Sequence, residues 1–169
     1  MKRAEKDAIA CRFSRLNFHD DDLLSVRLLA PRRKNDSAKL DFEFLDYSTR
    51  AKKLLSICGC VNLRWSMDFD VLADNWYAQT EAVKAESDPQ KMKKFVRTQM
   101  RHWRVKYMPP LPMDKPIRKQ LSSILRYRLF RITFFGGTVE VLARNFILEA
   151  TGGARRKSRS GERGVRGRK

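Results

Sequence analysis

"KKLLSICGCVNLRWSMDFD", residues 52–70, holds the longest apolar alternation in the chain. Leu55, Ile57, Val61, Leu63, Trp65, Met67 and Phe69 share one parity, interrupted only by Gly59, and Ser56, Cys58, Cys60, Asn62, Arg64, Ser66 and Asp68 take the other. A period of two with one polar side is what a strand buried on one face requires. Glycine inside such a run marks a bend or a bulge, so the stretch reads as one long strand kinked at Gly59 or two strands meeting there.

Shorter alternations flank it. "LLSVRLLA" (23–30) and "KLDFEFLDY" (39–47) surround a "PRRKNDSA" turn and read as a hairpin, with Leu24, Val26 and Leu28 on one face of the first strand and Leu40, Phe42 and Phe44 on one face of the second. "YRLFRITF" and "TVEVLARNFILEA" lie on either side of Gly136-Gly137, a pair suited to a tight hairpin turn. The expected core is Leu24, Val26, Leu40, Phe42, Phe44, Ile57, Val61, Leu63, Trp65, Phe130, Ile132, Val139 and Val141.

A different period governs residues 88–108. Asp88 can cap a helix, Pro89 suits its first position, and Met92, Phe95, Val96, Met100, Trp103 and Tyr107 fall within about 140° of arc at 100° per residue. This predicts an amphipathic helix over 89–107, packed through Phe95, Val96, Met100 and Trp103, that ends before the four prolines of "MPPLPMDKP". A short helix, "IRKQLSSIL", is expected after Pro116. The fold class is therefore α+β: a curved antiparallel sheet of five or more strands built from hairpins, with one long amphipathic helix against it. Residues 1–16 form an N-terminal segment able to make a short helix, 17–151 a single domain, and 152–169 a basic tail. From Gly152 onward the tail holds five of the eight glycines and almost nothing apolar, a composition that predicts disorder.

Charge is distributed unevenly along the 169 residues. Residues 1–88 balance, with 15 basic and 15 acidic side chains, whereas 89–139 hold 13 basic against 1 acidic and 153–169 hold 8 against 1. These two segments supply +12 and +7, and residues 140–152, with 1 basic against 2 acidic, bring the formal net charge to +18. No apolar run approaches the ~20 residues of a membrane span, and no signal-peptide core precedes the domain, so a cytoplasmic protein is expected. Three cysteines without a framework of spacings, Cys11, Cys58 and Cys60, agree with a reducing compartment.

The 89–107 helix is the leading functional feature. Solvated helices ordinarily interleave acidic residues with Lys and Arg to gain pairs four apart, and this one has none after Asp88. Lys93, Lys94, Arg97, Arg101 and Arg104, extended by Arg118 and Lys119, are the expected contacts for a polyanion such as a nucleic-acid backbone, without base-specific readout.

Other constellations carry less. "HDDD" (His19–Asp22) with Asp68 and Asp70 could serve a metal-dependent hydrolase, but His102 is the only other histidine and a polar turn explains the acidic run. Cys58-Gly59-Cys60 puts two thiols on one side of a strand, half of a zinc or redox site at most. No phosphate-loop, dinucleotide or nucleophile-elbow motif is present. The expectation is a non-enzymatic binding domain with no cofactor, no metal and no catalytic residues.

"FHDDDLLSVRLL" (18–29) and "YRLFRITFFGGTVEVLARNF" (127–146) carry a resemblance to small uncharacterised bacterial β-rich proteins, some grouped with immunity proteins of polymorphic toxin systems, over roughly residues 17–149. It implies a compact β-rich domain that binds a protein partner without catalysis; for a protein-binding module, the exposed-looking Trp76 and Tyr77 are the expected contacts. Inhibitors of nucleases tend to be acidic, and this chain is basic in its middle and tail.

Overall fold

In the computed structural model, the described residues are 7–31, 37–67, 79–106 and 121–151. They form an α+β structure made mostly of antiparallel strands. Asp7 caps α1 (Ala8–Phe13) by accepting from the backbone N–H groups of Ile9 and Ala10, both at 3.0 Å. The strands are β1 (Asp22–Leu29), β2 (Ala38–Leu45), β3 (Lys52–Cys60), β4 (Asn62–Met67) and β5 (Thr80–Glu86). After α2 (Pro89–Lys106) and a 3₁₀ turn (Ile124–Arg126) come β6 (Arg128–Phe134), β7 (Gly137–Ala143) and β8 (Asn145–Thr151).

The single curved sheet expected from the hairpins is instead two four-stranded sheets, ordered β1-β2-β3-β8 and β4-β7-β6-β5. Of the two readings at Gly59, two strands meeting there is the one the structure has, and the two do not share a sheet. In fact β3 and β4 leave Gly59 into different sheets, and β7 and β8 part at Arg144 beside them. Cys58 pairs with Asn145 and Asn62 with Leu142, so three residues, 59–61, face two, 143–144. That extra residue makes a bulge, which bends both strands from one sheet into the other. Gly59 occupies it with φ +73°, and a Cβ there would lie 2.9 Å from Cγ of Arg144.

The bulge also corrects the cysteine geometry. Cys60 packs against the inter-sheet core and its thiol donates to the Ile57 carbonyl at 3.1 Å, whereas Cys58 keeps the parity of Ser56 on the opposite face. The two thiols therefore do not share a side. Burial pushes the Cys60 thiol up to about 12 and raises that of Cys58.

The core lies between the sheets. Leu40, Phe42, Phe44, Leu55, Ile57 and Phe146 from one sheet meet Phe130, Ile132, Phe134, Val139 and Val141 from the other. Phe13 of α1 enters this core fully buried, edge-on to Phe130 (4.8 Å between centroids) and Phe146 (5.0 Å). Val26 and Leu63 pack against its margin, and Val61 against a second cluster under α2.

Two expected core residues are exposed. Leu24 is 45% exposed because β1 carries a bulge: between the pairs Leu23–Phe44 and Val26–Phe42, two residues, Leu24 and Ser25, face one, Glu43, so Leu24 leaves the expected parity. Trp65 is 39% exposed because β4 has, among the described residues, β7 as its one strand neighbour.

α2 begins where the cap signal places it, with Asp88 accepting from Gln90 N–H at 2.8 Å. Its Met92, Phe95 and Val96 are buried against Leu129, Leu142, Ile124 and Tyr127, so it covers the outer face of the second sheet. Full burial of one such side chain contributes about 1.5–3 kcal/mol. The side chains of Met100 and Trp103 lie outside the described residues, as do the whole of 152–169 and residues 117–120 of the segment read as a helix after Pro116; its other five residues, 121–125, are a helical turn that runs into the 3₁₀ turn. Among the described residues, no helix is long and apolar enough to cross a membrane.

Candidate anion-binding groove

The second sheet aligns four charged side chains in one cross-strand row. Arg64 on β4 pairs in register with Glu140 on β7, Glu140 with Arg131 on β6, and Arg131 with Lys84 on β5. Strand parity sends all four to the face that α2 covers, since Val139, Val141 and Ile132 take the opposite face into the core. α2 does not cover the row fully. Between them is a groove of about 410 Å³, with the row as its floor and Lys91, Lys94, Phe95 and Thr98 as its helical wall.

Those four helix positions are spaced at 0, 3, 4 and 7, which brings them to one flank of α2. Leu129 and Glu86 complete the lining. Five cations thus meet two carboxylates.

Both carboxylates are engaged. Glu140 is buried; its Oε1 accepts from Arg131 Nε at 3.0 Å and Nη2 at 2.6 Å, and its Oε2 is ion-paired with Arg64. The guanidinium of Arg64 also lies over the Phe95 ring, 5.5 Å from its centroid. Glu86 accepts from Lys91 Nζ at 2.6 Å; this bond holds the Glu86 carboxyl below its ordinary value and raises the Lys91 ammonium. Lys84 and Lys94 make no ion pair among the described residues, so the groove retains excess positive charge.

The helix cations named from the sequence divide between two surfaces. Lys94 is exposed in the groove, whereas Arg97 and Arg101 are exposed and Lys93 half-buried around the rest of the helix. None of these four makes an ion pair among the described residues. The side chain of Arg104 and all of Arg118, Lys119, Trp76 and Tyr77 lie outside the described residues. Sequence reading missed Arg64, Lys84 and Glu140. Each occupies a polar strand position, and only the long-range register of β4 with β7 and of β5 with β6 unites them.

The acidic turn has a structural task. Asp21 is buried and accepts from Lys53 Nζ at 2.7 Å; the same ammonium reaches Asp46 at 2.6 Å and lies over Phe18. The Asp21 backbone exchanges with β5: Thr80 N–H donates to the Asp21 carbonyl and Asp20 N–H to that of Thr80, both at 3.0 Å. With the Asp22–Gln79 bridge, these bonds join β1 to β5 across the two sheets. His19 is exposed; its Nδ1 lies 2.9 Å from Asp20 Oδ2 and its backbone N–H donates to Asn17 Oδ1 at 3.3 Å. Asp68 and Asp70 lie outside the described residues.

Compared with known proteins, the chain matches no family model, and no curated protein or solved structure is significantly similar to it.

Proposed function

We propose that this protein is a non-enzymatic domain that binds a polyanion, with the phosphate backbone of nucleic acid as its target, through the exposed cations of α2 and the groove beside them. The observation that carries the reading is the unpaired state of Lys93, Lys94, Arg97 and Arg101 among the described residues, next to a groove with five cations to two carboxylates. Like charges along a helix destabilise it by a few tenths of a kcal/mol per pair, roughly 0.2–0.5, and an anionic polymer removes that cost while releasing counterions. Phosphate contacts of this kind position a protein without reading sequence.

The test is fluorescence anisotropy of labelled RNA and DNA over a salt series, with a chain ending at Gly152 compared with the full chain and with Arg97→Glu/Arg101→Glu. Affinity should fall linearly in log–log form with salt, and the double variant should bind every sequence more weakly with a shallower slope. Equal affinity of variant and parent would overturn the reading.

A second reading, an immunity-like bacterial module with a protein partner, draws support from β1. Leu24, Leu28 and Leu29 are exposed on this edge strand, Leu28 by 63%. Its minimal test is a pull-down that Leu28→Lys abolishes and Arg97→Glu/Arg101→Glu leaves intact.

A further inference from the structure

The groove differs from the outer face of α2 in being built. Arg131 is fixed by a fork of two hydrogen bonds to a buried carboxylate, which leaves the remainder of its guanidinium free to face outward. Directly across the strands from Arg131 stands Lys84, a like-charge pairing that is destabilising unless an anion offsets it. Lys94 faces the same space from the helix. Three cations from three separate elements thus border one cavity, and two of them have no ion pair among the described residues.

Resting on the polyanion reading, we propose that this groove takes a phosphate monoester, with Lys84, Lys94 and Arg131 as its contacts and Glu140 as the residue that positions Arg131. A monoester carries a charge of about −1.5 to −2 and three terminal oxygens at neutral pH, against a single charge on a backbone diester. Three cationic side chains on separate elements match the monoester in both charge and donor count. The size agrees: about 410 Å³ lies in the range of small-ligand pockets, enough for one nucleotide-sized group and too little for a duplex. The same chemistry is offered by the 5′-phosphate end of a nucleic acid and by a free mononucleotide.

The experiment compares two forms of one short single-stranded RNA labelled at its 3′ end, one with a 5′-phosphate and one with a 5′-hydroxyl. The parent protein should bind the phosphorylated form about tenfold more tightly, the scale of one additional charge-assisted contact set. Lys84→Met/Lys94→Met should bind both forms alike, whereas Arg97→Glu/Arg101→Glu should weaken both and keep the ratio. Equal affinity of the parent for the two forms overturns the monoester pocket and leaves the polyanion reading standing. Absence of binding to either form overturns the polyanion reading instead. The pocket is then decided by adenosine 5′-monophosphate against adenosine in a thermal-shift titration. A rise in Tm with the nucleotide alone, lost in Lys84→Met/Lys94→Met, supports a free mononucleotide as the ligand, and no rise overturns the pocket. Unchanged melting of the ligand-free double variant verifies that its fold is intact.

Discussion

Two charge clusters in this molecule use the same groups in inverted proportion. At the junction of β1, β3 and β5, one ammonium, Lys53, lies between two carboxylates, Asp21 and Asp46, and all three side chains are at most 22% exposed. Under α2, one buried carboxylate, Glu140, lies between two guanidiniums, Arg64 and Arg131, which are 44% and 48% exposed. The first cluster is closed. Its carboxylates accept from Lys53, from the backbone N–H groups of Thr49 and Tyr47 and from the Ser48 hydroxyl, and its three charged side chains are mostly covered. The second is open, since its cations are only half covered and Lys84 and Lys94 stand beside them unpaired among the described residues. The inverted proportion separates a lock from a binding surface. Where cation and anions are all enclosed, the cluster fixes chain geometry; where a buried anion holds half-exposed cations, it orients charge for something outside the fold.

The largest effect is expected from breaking the lock. Lys53→Met leaves Asp21 buried with no cation and places two carboxylates close together, so it should cost about 3 kcal/mol in denaturant unfolding, the lower end for a buried pair that loses one partner. The matching change in the open cluster is Glu140→Gln, which keeps the side-chain shape and a carbonyl oxygen for Arg131. Because Arg64 and Arg131 are half-exposed, water screens their mutual repulsion, and the cost should be about 1 kcal/mol. Equal losses from the two substitutions would erase the distinction between the clusters.

How much of this could be read from the chain depended on sequence distance. Hairpins were legible, because β1–β2 and β6–β7 are local, alternate with period two and join through turn residues. The start of α2 was legible from Asp88 and Pro89. β5 was not, because Val83 is its only large apolar residue and leaves no period to detect. Nor was the division into two sheets, because a glycine bulge at 59 and the parting of β7 from β8 at Arg144 have meaning only once those distant segments pair. The bulge in β1 inverted the expected side of Leu24 for the same reason: one unpaired residue shifts parity, and no sequence period records it. The groove followed the register. Lys94 was visible as one of a run of helix cations, but Arg64 and Glu140 read as ordinary polar strand positions and Lys84 lay in a stretch without a strand signal, until four strands placed them in one row.

The smallest effect is a pH dependence that should separate the clusters once more. Hydrogen bonds from Lys53 and from Thr49 and Ser48 hold the Asp46 carboxyl well below its usual 3.8, and Lys53 itself is raised, because its bonds to Asp21 and Asp46 outweigh the opposing effect of burial. Asp7 is lowered likewise, chiefly by the hydrogen bond from Arg128. A carboxyl whose folded value lies below its unfolded value binds fewer protons when folded. Its stabilisation is complete above the unfolded value, near pH 4, and is lost as pH falls toward the folded one. The parent protein should therefore melt at lower temperature as pH drops from about 5 to 3. Lys53→Met removes the cation that depresses Asp46 and leaves two carboxylates that protonation relieves, so its deficit against the parent should narrow over the same interval. Thermal melts of both proteins at matched ionic strength measure this convergence. A deficit that stays constant from pH 5 to 3 would mean that Lys53 contributes by packing over Phe18, 5.5 Å from its ring centroid, rather than by charge.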